Sequence, residues 1–329
     1  MSRKSKVVKD TIRRFFHLGN KTIARHLVIN YPELFLNSKG KPDEEVARSA
    51  VRYYTGKMGK PNRDRVVDKS LFRKTPTKLP TTWCKERTPY HLDVGLWLVL
   101  SDIHIPFHET KPLEAALQAG QADNVDGIFL NGDAWEAQAL SFWPSARRDF
   151  SKELEDFIDF LDVLEETFPE KPIIYKPGNH EFRLPRYFVN HASELAESPV
   201  DSMERILGFE ERGIEFLDFY QKVYAGKLPV LHGHEVKNIQ SVVNPARGLF
   251  QKTLTYAACS HAHRTSTHPE VNLEGDDLTC HSFGCLCNLS PDWWPYGNKW
   301  NWGFGLINVE KNGDFEVINR RILPSGTVV

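Results

Sequence analysis

Five short polar clusters in this 329-residue chain combine carboxylates, amides and imidazoles: Asp102-Ile103-His104, Gly132-Asp133, Gly178-Asn179-His180-Glu181, His232-Gly233-His234 and His261-Ala262-His263. Carboxylate oxygen, amide oxygen and imidazole nitrogen together suit a hard-to-borderline divalent cation. The alternate spacing in Asp102/His104 and His261/His263 predicts that both side chains of each pair leave an extended backbone on one side. Gly132 beside Asp133 and Gly178 beside Asn179 allow tight turns and close approach to a ligand. Any one of these patterns is weak; five in one chain, each behind an apolar run, are a strong signal.

Those runs are the elements that must position the clusters. Leu96–Leu100, Gly127–Leu130, Pro172–Tyr175, Leu228–Leu231 and Tyr256–Cys259 read as buried strands. Ser151 to Phe168 is an amphipathic helix with Leu154, Phe157, Ile158, Leu161 and Leu164 at helical spacing. Helices alternating with buried strands give an α/β domain, and ligands bind at the carboxyl ends of such strands. The segments Leu278–Leu286 and Gly305–Ile322 are strand-rich, with an Asn312-Gly313 hairpin turn.

Residues 96–329 resemble the calcineurin-like metallophosphoesterases, whose signature is D-x-H, G-D-x-x-[DE], G-N-H-[DE], an HG-containing segment and G-H-x-H. Here these stand as Asp102-Ile103-His104, Gly132-Asp133-Ala134-Trp135-Glu136, Gly178-Asn179-His180-Glu181, His232-Gly233 and Ser260-His261-Ala262-His263. The resemblance implies a β-sandwich flanked by helices, with two metals at the strand ends. It implies that Asp102, His104 and His263 hold one ion, that Asn179, His232 and His261 hold the other, and that Asp133 bridges them. His180 would stand at their edge. Manganese is the expected ion, with magnesium, iron or zinc as alternatives. Two departures bear on substrate. The Asp-Arg-Gly continuation of Ser/Thr protein phosphatases is missing, and the second motif lacks the histidine of the double-strand-break repair nucleases. Ser260, where glycine is usual, leaves both histidines in place.

Two ions about 3.5–4 Å apart would share a hydroxide and clamp the attacking and leaving oxygens of a phosphate ester. His180 would protonate the leaving alkoxide, a step worth about 10²–10⁴ in rate. Glu181 would orient His180 or support the ligands, against an ordinary role as a solvated acid. His108 and His234 read as surface or supporting groups, and His281 stands behind a strand-like run. Trp293, Trp294, Tyr296, Trp300 and Trp302 crowd one segment and could stack on bases, though packing is the more ordinary role for such rings. The five cysteines are too few and uneven for a disulfide framework, and Cys280, Cys285 and Cys287 read as buried thiols.

The charge is lopsided. Residues 1–95 hold 22 Lys and Arg against 9 Asp and Glu, a balance of +13, and residues 96–329 hold 20 against 34, a balance of −14. Residues 1–60 read as a small basic all-α domain of helix-turn-helix character. Its helices are expected over Thr11–His17, over Lys21–Ile29 with Asn20 as cap, and from Asp43 to near Gly56. Residues 61–95 read as a linker or arm, and 96–329 as the catalytic domain. A basic arm on an acidic body points to a polyanionic partner, so the substrate is expected to be nucleic acid and the enzyme a phosphodiesterase or nuclease. The alternatives are a phosphomonoesterase on a small molecule or protein, and a nucleic-acid-binding or scaffold protein with a vestigial metal site. No apolar run follows the basic start and none approaches the ~18 residues of a membrane span, so an intracellular, cytoplasmic protein without membrane association is expected.

Overall fold

The computed structural model describes residues 2–56, 81–84, 86–142, 149–191, 199–241, 243–291 and 297–329. The chain divides into two units, Met1–Cys84 and Lys85–Val329.

The first unit is helical: α1 Arg3–Arg14, α2 Asn20–Asn30 and α3 Glu44–Tyr54. Val8, Thr11 and Ile12 fall on one face of α1, which starts earlier than its apolar residues alone suggest because the Ser2 hydroxyl accepts from Ser5 N–H. Gly19, not Asn20, precedes α2; Asn20 lies inside the helix, its amide 3.5 Å from the Thr55 hydroxyl. Asp43 caps α3 as expected, accepting from Glu45 and Val46 N–H. Val8, Ile12, Ile23, Ala24, Leu27, Phe35, Ala47 and Val51 close the core. The chain between α2 and α3 holds a 3₁₀ turn at Pro32–Leu34 and a bridge between Leu36 and Pro42. It is longer than the three- to four-residue turn of a helix-turn-helix. Arg25 and Arg48 are paired with Glu44 and Glu45, whereas Lys21 and Arg52 have no ion pair among the described residues.

The second unit contains two six-stranded sheets. One has the order β12-β11-β2-β3-β4-β5, with β2 Gly95–Leu100, β3 Gly127–Asn131, β4 Ile173–Lys176 and β5 Ile214–Phe216 parallel, and the hairpin β11 Gly303–Val309 and β12 Phe315–Arg321 along one side. The other has the order β1-β6-β7-β8-β10-β9, built from β1 Tyr90–Leu92, β6 Val223–Ala225, β7 Leu228–Val230, β8 Ala257–Cys259, β9 Ser266–His268 and β10 Cys280–Ser282. Most of the expected 61–95 arm lies outside the described residues, but its end is strand β1, paired with β6.

Side-chain alternation explains the continuous apolar runs. Trp97 and Val99 of β2 pack with Phe129 and Ile174 against Val223, Val230 and Ala258 of the opposite sheet. Leu98 and Leu100 face the other way, with Ile128, Leu130 and Tyr175, onto helices α4 Thr110–Ala122 and α5 Phe150–Thr167. A strand buried on both faces needs apolar residues at every position, and each such side chain contributes about 1.5–3 kcal/mol. The far face of the second sheet is covered by α6 Pro245–Thr253, through Ala246 and Leu249. Among the described residues no helix is long and apolar enough to cross a membrane.

Candidate metal centre

The five clusters follow β2, β3, β4, β7 and β8, and their side chains converge. The backbone device differs from the expected extended alternation. Asp102, His104, Asp133, His261 and His263 all have positive φ, between 51° and 63°. This left-handed region costs a non-glycine residue on the order of 1–3 kcal/mol. Cross-loop bonds enforce it: Asp102 N–H donates to Gly132 O, His104 N–H to Asp133 O and Ile105 N–H to Ala134 O. The turns are also too tight for side chains. A Cβ on Gly178 would stand 2.3 Å from Asp133 Oδ1, and one on Gly132, itself at φ +84°, 2.5 Å from His232 Nδ1.

Each carboxylate divides its two oxygens. Asp102 Oδ2 accepts from His261 N–H, and Asp133 Oδ1 from His180 N–H. Their other oxygens, with Asn179 Oδ1, His232 Nε2 and His261 Nδ1, are buried and have no aligned hydrogen bond among the described residues. Asp102 Oδ1 lies 3.1 Å from His263 Nε2, and Asp133 Oδ2 lies 3.1 Å from His232 Nε2 and 3.9 Å from His261 Nδ1. His104 Nε2 and His263 Nε2 are 3.2 Å apart. Ligand atoms about 2.1 Å from one ion stand roughly 3.0–3.4 Å apart, so the 3.1 and 3.2 Å spacings suit a cation between them.

The far ring nitrogens fix the tautomers. His232 Nδ1 lies 2.7 Å from the Asn131 carbonyl and His104 Nδ1 2.6 Å from Glu136 Oε2. A carbonyl and a carboxylate only accept, so Nδ1 carries the proton and Nε2 offers its lone pair to the centre. The Asn131 amide in turn donates to Leu231 O and to the Ser260 hydroxyl. The serine that replaces the usual glycine thus ties the fifth cluster to the second.

Glu136 is the residue that sequence reasoning missed. Its Oε2 also lies 2.8 Å from His180 Nδ1, and its Oε1 accepts from Arg183. The signal was present at the fifth position of the Gly132–Glu136 run. Glu181 does not orient His180. It is fully buried and accepts from the N–H groups of Asp133, Ala134, Trp135 and Gly178 and from the Tyr175 hydroxyl. Its carboxylate binds the loop of Asp133 to the turn of Asn179, which needs the side chain turned away from the cleft.

The carboxylates and imidazoles of the centre shift one another's protonation. Burial works against ionisation of Asp133, but positive His180 and His232 hold it well below the usual carboxylate range. Asp102 behaves alike, held at about 2 by His263 and His232 against burial. His232 is raised to about 9 and His263 well above its ordinary value, each by the neighbouring carboxylate against the effect of burial. His180 is raised as well, against burial, by Asp133 and Glu136. Bound cations would displace the protons of the ligands His232 and His263.

A cleft of about 480 Å³ opens onto the centre, lined by His104, Asp133, Asn179, His180, His261 and His263, with Phe142, Phe182, Arg183, Arg186 and Trp300 around its mouth. His281 lines a separate depression with Asp277 and Asp314, away from the centre. His234 packs against the His232 ring and His108 bridges to Cys287. Trp302 donates to Cys287 O and packs on the core; Trp300 lies over His263, ring centres 4.2 Å apart. Trp293, Trp294 and Tyr296 lie outside the described residues. Cys280, Cys285 and Cys287 are buried free thiols, Cys287 with its sulfur 3.8 Å from His263 Nδ1.

The chain belongs to the calcineurin-like phosphoesterase family, whose sequence profile matches residues 97–282. This is a family of phosphoester hydrolases that work with divalent metals, and the matched segment spans all five clusters. The chain is similar to the gene 54 protein of Mycobacterium phage D29, 27% identical over 65% of this chain and 89% of that protein. Among solved structures it is similar to vacuolar protein sorting 29 of Cryptosporidium parvum, with 14% identity, TM-score 0.37, and coverage of 72% of this chain and 96% of that one. It is also similar to the E. coli phosphoesterase Yfce, with 14% identity, TM-score 0.35, and coverage of 71% and 96%.

Proposed function

We propose that the chain is a two-metal phosphodiesterase acting on nucleic acid. The observation that carries the two-metal reading is the set of buried ligand atoms without hydrogen bonds. Asp102 Oδ1, Asp133 Oδ2, Asn179 Oδ1, His232 Nε2 and His261 Nδ1 would be strongly destabilising in a dry centre unless a cation satisfied them. Asp102, His104 and His263 would hold one ion, Asn179, His232 and His261 the other, and Asp133 would touch both. Such ions would supply Lewis acidity and a water nucleophile at neutral pH.

The protein's own groups do the rest. Glu136 Oε2 lies 2.8 Å from His180 Nδ1 as an ion-pair partner, while Nε2 stands 3.8 Å from Asp133 Oδ2. Beside His180 the Glu136 carboxylate favours the protonated ring that a general acid requires. As water attacks phosphorus and the ester P–O bond breaks, the leaving oxygen takes the His180 proton. Arg183 donates to Glu136 Oε1 and holds that carboxylate in place.

Nucleic acid is favoured as substrate by the +13 balance of residues 1–95 and by exposed Lys21 and half-buried Arg52 of the helical unit, which have no ion pair among the described residues. The test is purified protein with manganese on bis-p-nitrophenyl phosphate, p-nitrophenyl phosphate, and labelled single- and double-stranded DNA and RNA. Hydrolysis of the diesters and strands supports the proposal. Turnover of the monoester alone would replace it with a phosphomonoesterase, and no metal-dependent turnover at all would leave a binding protein.

A further inference from the structure

The mouth of the cleft carries aromatic rings that the chemistry at its floor does not use. Phe142 is 88% exposed and Phe182 37%, and both line the cleft with Trp300. Phe182 continues outward, its ring 6.4 Å from that of Tyr220, which is 63% exposed. Exposed large rings grouped beside a catalytic cleft are contacts kept open for a partner.

Arg186 stands among them. It is exposed and makes no ion pair among the described residues, whereas its neighbour Arg183 is committed to Glu136. A guanidinium with no ion pair among the described residues, lining the same cleft as open rings, calls for a ligand with anionic groups and flat apolar faces. A phosphoserine peptide or a sugar phosphate offers the anion without the faces, and a phosphotyrosine peptide offers one ring rather than a run of them. A duplex hides its base faces inside the stack. A single strand offers both.

We propose that Phe142, Phe182 and Tyr220 form a stacking track for the bases of single-stranded nucleic acid, with Arg186 on the phosphate next to the scissile one. The proposal rests on the phosphodiesterase reading and narrows it to single strands. Phe142 and Phe182, which both line the cleft, take bases beside it. Tyr220, held beneath the Arg87 guanidinium at 4.9 Å, extends the track beyond Phe182. Stacking on aromatic side chains is tolerant of sequence, so the track selects strandedness rather than base identity.

The test is fluorescence anisotropy with the full chain, in chelator so that no strand is cut. Labelled strands of about 12 nucleotides, within the usual site size, are compared as DNA, RNA, abasic DNA and duplex DNA. Wild type is expected to bind base-bearing single strands at least ~10-fold more tightly than the abasic strand or the duplex. Phe142→Ala and Phe182→Ala are expected each to weaken base-bearing strands by about 5- to 150-fold and to leave the abasic strand nearly unchanged. Arg186→Ala should weaken the abasic and base-bearing strands by similar factors. Equal binding of abasic and base-bearing strands by wild type, or a preference that survives both phenylalanine changes, overturns the track. Phe142 is exposed enough that its removal does not threaten folding. Hydrolysis of bis-p-nitrophenyl phosphate separates the two readings: turnover without base preference removes the track alone, and base preference without turnover removes the hydrolase.

Discussion

Glu136 Oε2 lies 2.6 Å from His104 Nδ1, at the bottom of the centre and out of reach of any substrate. Partners of this kind tune ligating imidazoles, and their loss typically costs about 10–100-fold in metal affinity. Glu136→Gln keeps the shape but removes the charge shared by His104, His180 and Arg183. We expect metal affinity to fall about 10–100-fold and turnover at saturating metal to fall further, because His180 loses the same partner. Metal titration by calorimetry checks the first part; affinity equal to wild type would show that His104 needs no such support.

His180 and His263 separate the proton donor from the ligands. His180→Gln is expected to retain near-normal metal content and to lose roughly 10²–10⁴ in rate, most for esters with poor leaving groups. His263→Ala is expected to lose metal together with rate. Elemental analysis of the two purified variants decides it, and equal metal loss in both would place His180 among the ligands.

Gly178→Ala would drive a methyl group into Asp133 Oδ1 and Asp133 N. The nearest obstacles are the carboxylate that joins the two halves of the centre and its own backbone, so relief comes only by moving a ligand. We expect a folded protein with metal content reduced at both positions and activity down at least ~100-fold, since a misplacement of about 1 Å can cost that much. Normal metal stoichiometry by elemental analysis would refute the clash.

Much of this architecture was legible in the residues. The strands β2, β3, β4, β7 and β8 were visible because burial on both faces demands unbroken apolar runs, and each run ends at a cluster. The helix over Phe150–Thr167 was visible from its period. What the sequence hid follows from physics that is not local. The left-handed backbone of Asp102, His104, His261 and His263 is imposed by bonds from other loops, so spacing suggested an extended strand instead. Glu136 and Glu181 are both acids beside the centre, and only the fold decides which faces His180. Strand β1 is three residues long and gains its place by pairing with β6, which is remote in sequence. Gly19 rather than Asn20 precedes α2, a difference of one residue that two good cap formers leave undecided.

The helical unit should reveal itself through salt. Lys21 and Arg52 are basic residues there with no ion pair among the described residues, while Arg25 and Arg48 are matched by Glu44 and Glu45. If the unit grips nucleic acid, Lys21→Ala with Arg52→Ala should flatten the dependence of log K on log salt. The expected loss of slope is about 0.7–0.9 for each phosphate contact removed. Hydrolysis of bis-p-nitrophenyl phosphate should stay unchanged, because the proposed ligands all lie in the other unit. An unchanged slope from anisotropy at several salt concentrations would turn the basic unit into a protein-docking domain.

Glu153 makes stability depend on pH in an unusual direction. It lies on the buried side of α5, where its carboxylate accepts from Ala139 N–H at 3.1 and 3.2 Å. Burial raises its pKa to about 7, helped by the charge of Glu136 and opposed by the bonds from Ala139 and Gln138. An acid whose folded pKa exceeds its unfolded value of 4.5 binds its proton more tightly in the folded state. Its contribution to stability is therefore complete below pH 4.5 and is lost as pH rises through 7. Glu153→Gln keeps an acceptor for Ala139 and does not titrate. In chelator, so that metal occupancy is constant, the Tm of the variant relative to wild type should rise between pH 5 and pH 8, by on the order of 2–4 °C. Other titrating groups are common to both proteins and cancel in the difference. A difference in Tm that stays flat across that range, or falls, would mean that Glu153 is ionised in the folded protein throughout and that its hydrogen bonds to the Ala139 turn offset the effect of burial.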